Sequence, residues 1–600
     1  MGDLGAGANV TSVAPGAGTA VPHRPGAHRM RPRPRGGPWR RPLGGTPSAR
    51  IIAAATVAAL ALRLFTFTRP GCLTGITEYD DGVYLGAAIQ LIKGAVPYRD
   101  FAFVQPPGIV ALMTPVALVA SATTTVKALA LARVLTALAS TACVPLAGRL
   151  IAHRGPLATV VTCGFLAVYP GDVSTAHTLM LEPWMNLLCL LAVTAAFRDG
   201  RLAPAGSLLW AGLAMGFAAA VKFWALAPAT LLLATCAAAW LASGDPAAGR
   251  RTGRYLAGLA AGFALPLAPF ALAAPAALWR CTIIDQAART GSTVPAAVRL
   301  AHLTGLIDVM TVHGQLALDA GTSSIYTAGS SAPLDAGTSL TWLPYVVAAA
   351  GLAALVGGLC WRAARRSVPP SPLEWFSAAT AAVACAAIVG YSAFFYHYTD
   401  FPAPWLALTA GGAAAAIAPR RARPVGAAIT VALCLVAALQ VAEIYPLRQV
   451  TAQAMAHRIP PGACVVTDEV SLTIAADRYM GYPASCPVIV DSLAQTLALS
   501  DGVSVQGGAA RDTAVIAAWR GWLGRAQYVW LTPGPNPGGG SARRIPWTPG
   551  LLGWFNRSFT AVGSYSWGTG QLYVRTTTPA STASRAAHGS PARRREGRQA

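Results

Sequence analysis

Residues 77–108 of the chain read T-E-Y-D-D-G-V-Y-L-G-A-A-I-Q-L-I-K-G-A-V-P-Y-R-D-F-A-F-V-Q-P-P-G. This polar and acidic stretch follows the first long apolar run, so we expect it to be a loop at a membrane surface. Glu78, Asp80 and Asp81 lie close together in it, and neighbouring negative charges raise one another's pKa values. One of these carboxylates would then act as a general base or hold a cation. The structural alternative is that Asp80 or Asp81 caps a short helix over residues 82–93.

The composition indicates a polytopic helical membrane protein. Of the 600 residues, 54% are apolar and only 12% are charged, and long apolar runs recur between residues 51 and 445. The formal net charge of +23 would also suit a nucleic-acid-binding protein. The basic residues, however, lie in the tails and in short loops between apolar runs, where they determine membrane topology. We therefore expect a multi-pass protein of the plasma membrane, in contact with the lipid bilayer and without a nucleic-acid partner.

Short arginine clusters predict which face of the membrane each loop occupies. With about eleven spans, every cluster falls on the cytoplasmic face. The predicted spans are residues 51–67, 128–150, 155–170, 183–197, 204–221, 224–242, 255–275, 341–361, 374–395, 402–418 and 425–445. Residues 109–120 are predicted to be a re-entrant or interfacial helix. Residues 276–340 carry too many polar groups for spans and are predicted to form outer interfacial helices and a mobile loop.

The chain is predicted to divide into four regions. Residues 1–50 form a disordered basic cytoplasmic tail, and residues 577–600 form a second disordered tail. Residues 51–445 form the transmembrane domain. Residues 446–576 lack long apolar runs and are predicted to form a small extracytoplasmic α/β domain.

Short alternating segments define this last domain. The pattern predicts strands at 463–467, 487–490 and 527–531, a helix at 512–523 and a closing hairpin at 559–575. Cys464 and Cys486 lie in an oxidising compartment on this topology and would be able to form a disulfide. Five charged residues of this domain either line an acceptor surface or serve as loop and cap residues: Asp468, Glu469, Asp477, Arg478 and Asp491.

Acidic residues gather on the predicted outer face and not within the spans. Transporters usually place functional carboxylates near the bilayer midplane. The distribution therefore favours chemistry at the outer membrane surface over transport through the protein.

The outer loops supply the candidate site residues. The candidate catalytic residues are Asp80 and Asp81. The candidates for binding a phosphate or another part of a substrate are Tyr84, Arg99, Asp100, Gln105, His177, Glu182, Lys222, His397, Tyr398 and Asp400. Structural alternatives stay open for several: Glu182 would complement a helix dipole, Lys222 would extend its ammonium towards the membrane interface, and the tyrosines would belong to an interfacial aromatic belt.

These residues resemble those of a known family. The D-D-G-V-Y, the following L-I-K-G-A-V-P-Y-R-D-F and the Q-P-P-G are similar to the first outer loop of GT-C fold glycosyltransferases. The most similar members belong to the bacterial branch related to protein O-mannosyltransferases and the lipid A aminoarabinose transferase. The later L-E-P, G-F-A-A-A-V-K-F and H-Y-T-D-F-P match positions where that family has recurring polar residues. Asp81 stands where the family often has Glu.

The resemblance implies a GT-C-like α-helical membrane enzyme. Such an enzyme moves a sugar, a hexose or a pentose, from a polyprenyl-phosphate donor to an extracytoplasmic glycan, glycolipid or protein. Inverting transfer needs a general base, for which Asp80 is the candidate, with Asp81 orienting it or the acceptor. The leaving phosphate needs cations beside it, and Arg99, Lys222 and His397 are the candidates. No cofactor is expected, because the sequence has no cofactor fingerprint, P-loop or convincing metal motif.

Other interpretations stay open at this point. A cation held by Asp80, Asp81 and Glu182 is one of them. A transporter or flippase for a lipid-linked sugar would share the charged outer loops, but it should show paired repeats with broken, charged helices, which the sequence lacks. A non-catalytic scaffold of cell-envelope assembly would not need the acidic pair in the first loop.

Overall fold

The computed structural model of the chain describes residues 46–288, 296–305, 343–365, 369–391, 393–449, 451–532, 540–562 and 570–576. The predictions for residues 1–45, for residues 306–340 of the outer loop and for residues 577–600 lie outside these ranges.

Helices dominate the chain up to residue 449. In chain order they are α1 (Pro47–Phe67), α2 (Tyr79–Ile92), α3 (Gly108–Ala122), α4 (Thr125–Ile151), α5 (Pro156–Val168), α6 (Pro170–Thr175), α7 (Leu181–Ala196), α8 (Ala205–Val221), α9 (Leu226–Ser243), α10 (Pro246–Ala273), α11 (Pro275–Trp279), α12 (Asp285–Ala287), α13 (Ala296–His302), α14 (Leu343–Arg365), α15 (Pro372–Gly390), α16 (Ala403–Ala414) and α17 (Pro419–Ile444). A two-residue hairpin of β1 (Phe197–Arg198) and β2 (Arg201–Leu202) joins α7 to α8.

Local sequence signals start the two helices that frame the first loop. The hydroxyl of Thr46 accepts a hydrogen bond from a backbone N–H at the start of α1, and Pro47 is the first helical residue. Thr124 caps α4 in the same way. Threonine at the cap and proline in the first turn are the residues that such positions favour.

The structure confirms a multi-pass helical membrane protein. Seven of the described helices are long and apolar enough to cross a membrane, and every predicted span contains a helix. Four of those helices, α5, α7, α8 and α16, have only 13, 16, 17 and 12 residues. A bilayer requires about 20 residues, so the number of spans stays a prediction. The predicted re-entrant segment is the 15-residue helix α3.

Two arginine clusters predicted to face the cytoplasm meet in the structure. Arg154, after α4, and Arg362, in α14, each lie 2.5 Å from the carboxylate of Glu374 in the first turn of α15. The carboxylate of Glu374 also accepts a hydrogen bond from the backbone N–H of Ser371, which closes a capping box. These loops therefore lie at the same end of the bundle, as the arginine pattern predicts.

The described residues from 451 to 576, called the C-terminal region below, contain a small sheet. The helices are α18 (Gln453–Ala456), α19 (Val470–Ala475), α20 (Ser492–Leu499), α21 (Thr513–Leu523) and α22 (Pro549–Ser558), and the strands are β3 (Val465–Thr467), β4 (Tyr528–Leu531), β5 (Phe559–Ala561) and β6 (Gln571–Arg575). The strand order is β3-β4-β6-β5; β3 is parallel to β4 and the other pairs are antiparallel. Trp519, Val529 and Phe555 are fully buried in its core.

Most predictions for this region are confirmed. Strands form within residues 463–467 and 527–531, the helix at 512–523 is α21 with Asp512 as its cap, and the closing hairpin is β5 and β6.

The predicted strand at residues 487–490 is wrong, because that segment has no regular secondary structure. Pro487 has no N–H to donate to a neighbouring strand. The preceding residue, Cys486, forms a disulfide with Cys464, a pair that the sequence analysis left open.

The C-terminal region rests on the ends of α2 and α4. A Cβ atom added at Gly82 in α2 would lie 2.1 Å from the backbone N of Ser471 in α19, so only glycine allows this backbone approach. At the start of α4, the hydroxyl of Thr125 donates to the carbonyl of Ile474 at 2.6 Å, and its N–H donates to Asp477 at 2.9 Å. The first outer loop is therefore packed between the bundle and the C-terminal region.

Candidate functional site

The first loop enters α2 through Glu78. Its Oε1 accepts a hydrogen bond from the N–H of Tyr79 at 3.2 Å, which makes Glu78 the cap of the helix. Asp80 and Asp81 follow in the first turn of the helix, where the helix dipole favours negative charge. The alternative in which Asp80 or Asp81 caps this helix is therefore wrong.

Asp81 is completely buried, and both of its oxygens are engaged. Oδ2 lies 2.5 Å from Nη2 of Arg133 in α4, and Oδ1 accepts hydrogen bonds from the hydroxyl of Thr178 at 2.8 Å and from the N–H of Leu179 at 2.5 Å. Asp81 thus holds the start of α2 against α4 and against the segment from α6 to the start of α7, residues 170–182, which we call the second outer loop after its predicted side of the membrane. This arrangement suits positioning rather than contact with a substrate.

Asp80 has a different environment from its neighbour. It is only half-buried, and its Oδ2 accepts a hydrogen bond at 3.1 Å from the hydroxyl of Tyr84, one helical turn later. Of the two adjacent aspartates, Asp80 is therefore the one that a substrate is able to reach.

Glu78 is a buried carboxylate beside these two. Its Oε2 has no hydrogen-bond partner among the described residues. Burial first, and then the negative charges of Asp80, Glu469 and Asp81, raise the pKa of Glu78 well above its ordinary value. Glu78 therefore keeps its proton to a higher pH than an exposed glutamate would.

The C-terminal region adds a second group of charges at this point. Nη1 of Arg544 lies 3.3 Å from Glu469 and 3.4 Å from Asp468, and its guanidinium carbon lies 4.0 Å from the centre of the Tyr79 ring. Burial raises the pKa of Asp468 to about 6, against the lowering effect of Arg544. We call the following residues the junction cluster: Glu78, Asp80, Asp468, Glu469 and Arg544.

A second cluster lies in the helical bundle. Glu182, in the first turn of α7, forms an ion pair with Lys222 at the end of α8, and Nε2 of His397 lies 3.9 Å from the same carboxylate. The Lys222 ammonium faces two aromatic rings, with centroids at 4.3 Å (Trp224) and 4.5 Å (Tyr398). Lys222 is only 6% exposed, so the alternative of an ammonium extended to the membrane interface is wrong. We call the following residues the bundle cluster: Glu182, Lys222, His397 and Tyr398.

Asp400 lies beside the bundle cluster, and its hydrogen bonds serve to hold helices together. It is buried, and it accepts hydrogen bonds from the hydroxyl of Thr175 at 2.7 Å and from the amide of Asn186 at 3.1 Å. Asn186 lies one turn after Glu182 in α7. Asp400 therefore links α6 and α7 beside the ion pair.

His177 lies in the second outer loop and is buried. Its Nδ1 has no hydrogen-bond partner within the described ranges. Burial and then the charge of Arg133 lower the pKa of His177 to about 4. At neutral pH the imidazole is therefore uncharged, which does not suit it to neutralise a phosphate.

The structure leaves Arg99, Asp100 and Gln105 apart from both clusters. Arg99 and Asp100 form a 2.8 Å ion pair with each other at the surface, where the Arg99 side chain is 51% exposed. Gln105 is buried, and its backbone carbonyl accepts a hydrogen bond from the hydroxyl of Tyr98 at 2.6 Å. In the described part of the chain, none of these three side chains forms a hydrogen bond with a member of either cluster.

A metal site needs several ligating side chains close together. Within the described ranges, no group of three or more His, Cys, Asp or Glu residues is arranged to hold a metal ion. The sequence analysis left open that Asp80, Asp81 and Glu182 hold a cation together. In the structure, Asp81 and Glu182 each form an ion pair with a basic side chain instead.

Solved structures share this architecture. The chain superposes on ArnT from Cupriavidus metallidurans bound to undecaprenyl phosphate with a TM-score of 0.52, covering 88% of this chain and 98% of that one at 13% identity. It superposes on the archaeal oligosaccharyltransferase AglB from Archaeoglobus fulgidus, in complex with an inhibitory peptide and a dolichol-phosphate, with a TM-score of 0.50, covering 81% and 69% at 14% identity. The chain has the GT-C fold. The resemblance of the first loop predicted this fold correctly.

At these identities, the GT-C similarity establishes the fold and not the reaction. No family model matches the chain, and no curated protein matches it in sequence.

Sequence reasoning missed two buried arginines of the GT-C bundle. Arg133 binds Asp81, and Arg63 in α1 lies 2.9 Å from Asp172. Both arginines are completely buried within apolar helices. An ionisable residue inside a predicted span was the available signal, because such residues are costly unless they are paired. Arg544 had no comparable signal, since it lies in a polar loop without a motif.

Proposed function

We propose that the protein is a membrane glycosyltransferase that transfers a sugar from a polyprenyl-phosphate donor to an acceptor on the extracytoplasmic side. Two solved structures of the same fold support a lipid-phosphate donor, since one is bound to undecaprenyl phosphate and the other to a dolichol-phosphate. The observation that carries the proposal is the contrast at the start of α2. Asp80 is accessible, whereas Asp81 beside it is buried and fully engaged.

Asp80 acts as the general base in this proposal. The acceptor oxygen forms a bond to the anomeric carbon as its proton passes to Asp80. The bond between that carbon and the phosphate oxygen breaks, and its electron pair goes to the phosphate. Attack from the face opposite the phosphate inverts the anomeric configuration. Tyr84 orients the Asp80 carboxylate, and the pairing of Asp81 with Arg133 holds the helix start in place.

The bundle cluster serves the leaving phosphate. Negative charge grows on the phosphate during transfer, and a positive group in a dehydrated site stabilises it. Lys222 is a buried ammonium, and Glu182 balances its charge while no donor is bound. His397 lies against the same carboxylate and supplies a second hydrogen-bonding group. Arg99 is not used, because it is paired with Asp100 at the surface.

The proposal extends to the class of substrates only. The donor sugar is a hexose or a pentose, and the acceptor is a glycan, a glycolipid or a protein. The transfer is assigned to this chain's own side chains, and no cofactor takes part in the proposed steps.

Membranes containing the protein, incubated with a panel of polyprenyl-phosphate sugars that carry labelled mannose or arabinose, test the proposal. We expect Asp80→Asn to reduce labelled product about 10²- to 10⁴-fold, the usual contribution of a general base. Asp100→Asn is the matched control, because it removes a carboxylate from the same loop at an exposed position. It should leave transfer nearly unchanged.

Two results would contradict the proposal. Equal product formation by the wild type and Asp80→Asn would show that Asp80 is not the general base. Movement of a labelled donor across the membrane without transfer, and independent of Asp80, would indicate a transporter instead.

A further inference from the structure

Arg544 connects the C-terminal region to the start of α2. Its guanidinium is buried, and burial of an unpaired charge is costly. It is paired with the carboxylates of Glu469 and Asp468. The pKa of Arg544 is raised because these two negative charges outweigh the effect of burial. Arg544 therefore remains a fixed positive charge.

The C-terminal region holds Tyr79 from two sides. The Arg544 guanidinium lies over the Tyr79 ring, 4.0 Å from the ring centroid. The Tyr79 hydroxyl donates a hydrogen bond to Oδ1 of Asp491 at 2.8 Å. Tyr79 is the first residue of α2 and directly precedes Asp80. Its position therefore determines where the Asp80 backbone begins.

The carboxylate of Glu469 is placed by the same contacts. Oε1 accepts a hydrogen bond from the hydroxyl of Ser471 at 2.8 Å, and Oε2 faces Arg544. The backbone of Ser471 is in turn packed against Gly82 of α2. Glu469 lies close enough for its charge to act on Glu78. Without Arg544, that negative charge would stand uncompensated beside the first-loop carboxylates.

We propose that Arg544 is a positioning residue for Asp80: it fixes Tyr79 at the start of α2 and offsets the charge of Glu469, so that the C-terminal region forms part of the catalytic site. This inference rests on the proposed function, in which Asp80 is the general base.

Other charged or titratable groups belong to the elements packed at the start of α2, and the test leaves them unchanged. They are Glu78, Asp81 and Tyr84 from α2 and its cap, Arg133 from α4, His177 from the second outer loop, and Tyr79, Asp468 and Asp491 at the contact with the C-terminal region.

Two substitutions that break the same ion pair distinguish positioning from a purely structural role. Arg544→Met removes a positive charge, which raises the pKa of the base and moves the acidic limb of kcat/KM to higher pH. Glu469→Gln removes a negative charge and moves that limb to lower pH. Each shift should be about half a pH unit to one unit, as expected for a charge that acts from beyond direct contact. A structural role would lower activity in both variants without opposite shifts.

The measurement is the pH profile of kcat/KM with the labelled polyprenyl-phosphate mannose or arabinose that gives an Asp80-dependent product. Arg544→Lys keeps the charge, so it should keep the wild-type limb. Arg575→Met is the matched control: this arginine of the same region donates to the backbone carbonyls of Ala526, Leu523 and Gly524. Its profile should match the wild type. Formation of the disulfide between Cys464 and Cys486, followed by thiol labelling, reports folding of the region.

Opposite shifts in Arg544→Met and Glu469→Gln would support the proposal, and shifts of the same sign or none in folded variants would overturn it. If Arg544→Met does not form the disulfide, Arg544→Lys and Glu469→Gln decide: an unshifted Glu469→Gln profile overturns the proposal. Full activity of Asp80→Asn would be a failure of the proposed function and not of the Arg544 contact, so the two failures are distinguishable.

Discussion

The bundle cluster and the junction cluster are both groups of largely buried charges, but their charge balance differs. In the bundle cluster, one carboxylate, Glu182, faces the ammonium of Lys222 and the imidazole of His397. In the junction cluster, there are four carboxylates and a single guanidinium, that of Arg544, which pairs with two of them, Glu469 and Asp468. The balanced cluster is suited to exchange its internal carboxylate for a bound anion. The acid-rich cluster is suited to accept a proton, because burial and then negative neighbours raise the pKa of Glu78, and burial raises the pKa of Asp468.

The difference also predicts how each cluster responds to substitution. Removal of one partner from a balanced buried pair leaves an uncompensated charge, which is strongly destabilising. Removal of one carboxylate from an acid-rich cluster relieves repulsion. The predictions for Lys222 and Glu78 test this contrast, and those for Gly82 and Arg99 test the packing and the residue assignments behind it.

The largest effect is expected at Lys222. Lys222→Met leaves Glu182 buried without its cation and should lower the free energy of unfolding by about 3–5 kcal/mol. The double variant Lys222→Met/Glu182→Gln should recover most of that loss. Unfolding in detergent, measured as a double-mutant cycle, gives the coupling between the two residues. Losses that simply add would show that the pair is not coupled.

A smaller loss is expected at Gly82. The added methyl of Gly82→Ala would meet the backbone N of Ser471 at 2.1 Å, and neither backbone is able to yield without separating α2 from α19. Overpacking of this kind costs about 1–3 kcal/mol. Gly86→Ala is the control, because its added methyl meets the side chain of Val470 at 3.1 Å, which has more room to adjust. Equal stabilities of the two variants would contradict the close approach.

The third prediction concerns Glu78 and pH. In the folded protein the pKa of Glu78 is raised above its value in the unfolded chain, which is about 4.3. Between these two pKa values, the folded protein keeps a proton on Glu78 that the unfolded chain has released. The stability contributed by this group is therefore complete below that value and is lost as the pH rises through the folded pKa. Glu78→Gln should stabilise the protein near neutral pH by on the order of 1 kcal/mol.

Unfolding of wild type and Glu78→Gln across pH checks this sign. The advantage of the variant should shrink as the pH falls towards 4, where the wild-type carboxyl is protonated in both states. An advantage that grows at low pH would show that Glu78 is ionised in the fold.

The smallest effect is expected at Arg99. This side chain is exposed and paired with its sequence neighbour Asp100, and exposed ion pairs contribute little. Arg99→Ala should change the rate of sugar transfer by less than about threefold. If Arg99→Ala lowers the rate of sugar transfer tenfold or more while Lys222→Met keeps it, Arg99 and not the bundle cluster binds the donor phosphate.

Several features of the fold could be predicted from the sequence because they depend on local properties. Apolar runs and arginine clusters indicated the membrane helices, and the alternating segments indicated β3, β4 and the β5–β6 hairpin. The strand predicted at 487–490 was wrong, since Pro487 and the disulfide at Cys486 oppose regular pairing there. The resemblance of the acidic first loop to that of GT-C fold glycosyltransferases also predicted the fold correctly.

The sequence by itself determined that this chain is a membrane helix bundle with carboxylates in the loop after its first apolar helix, because hydropathy and charge patterns are properties of short stretches of sequence. Only the tertiary structure decided which carboxylate is buried. Asp81 and its partner Arg133 are 52 residues apart, and Tyr79 meets Asp491 across 412 residues. The roles of Asp80 and Asp81 depend on such distant neighbours, since these decide which of the two carboxylates is buried and paired and which stays accessible. Those neighbours exist only once the chain has packed.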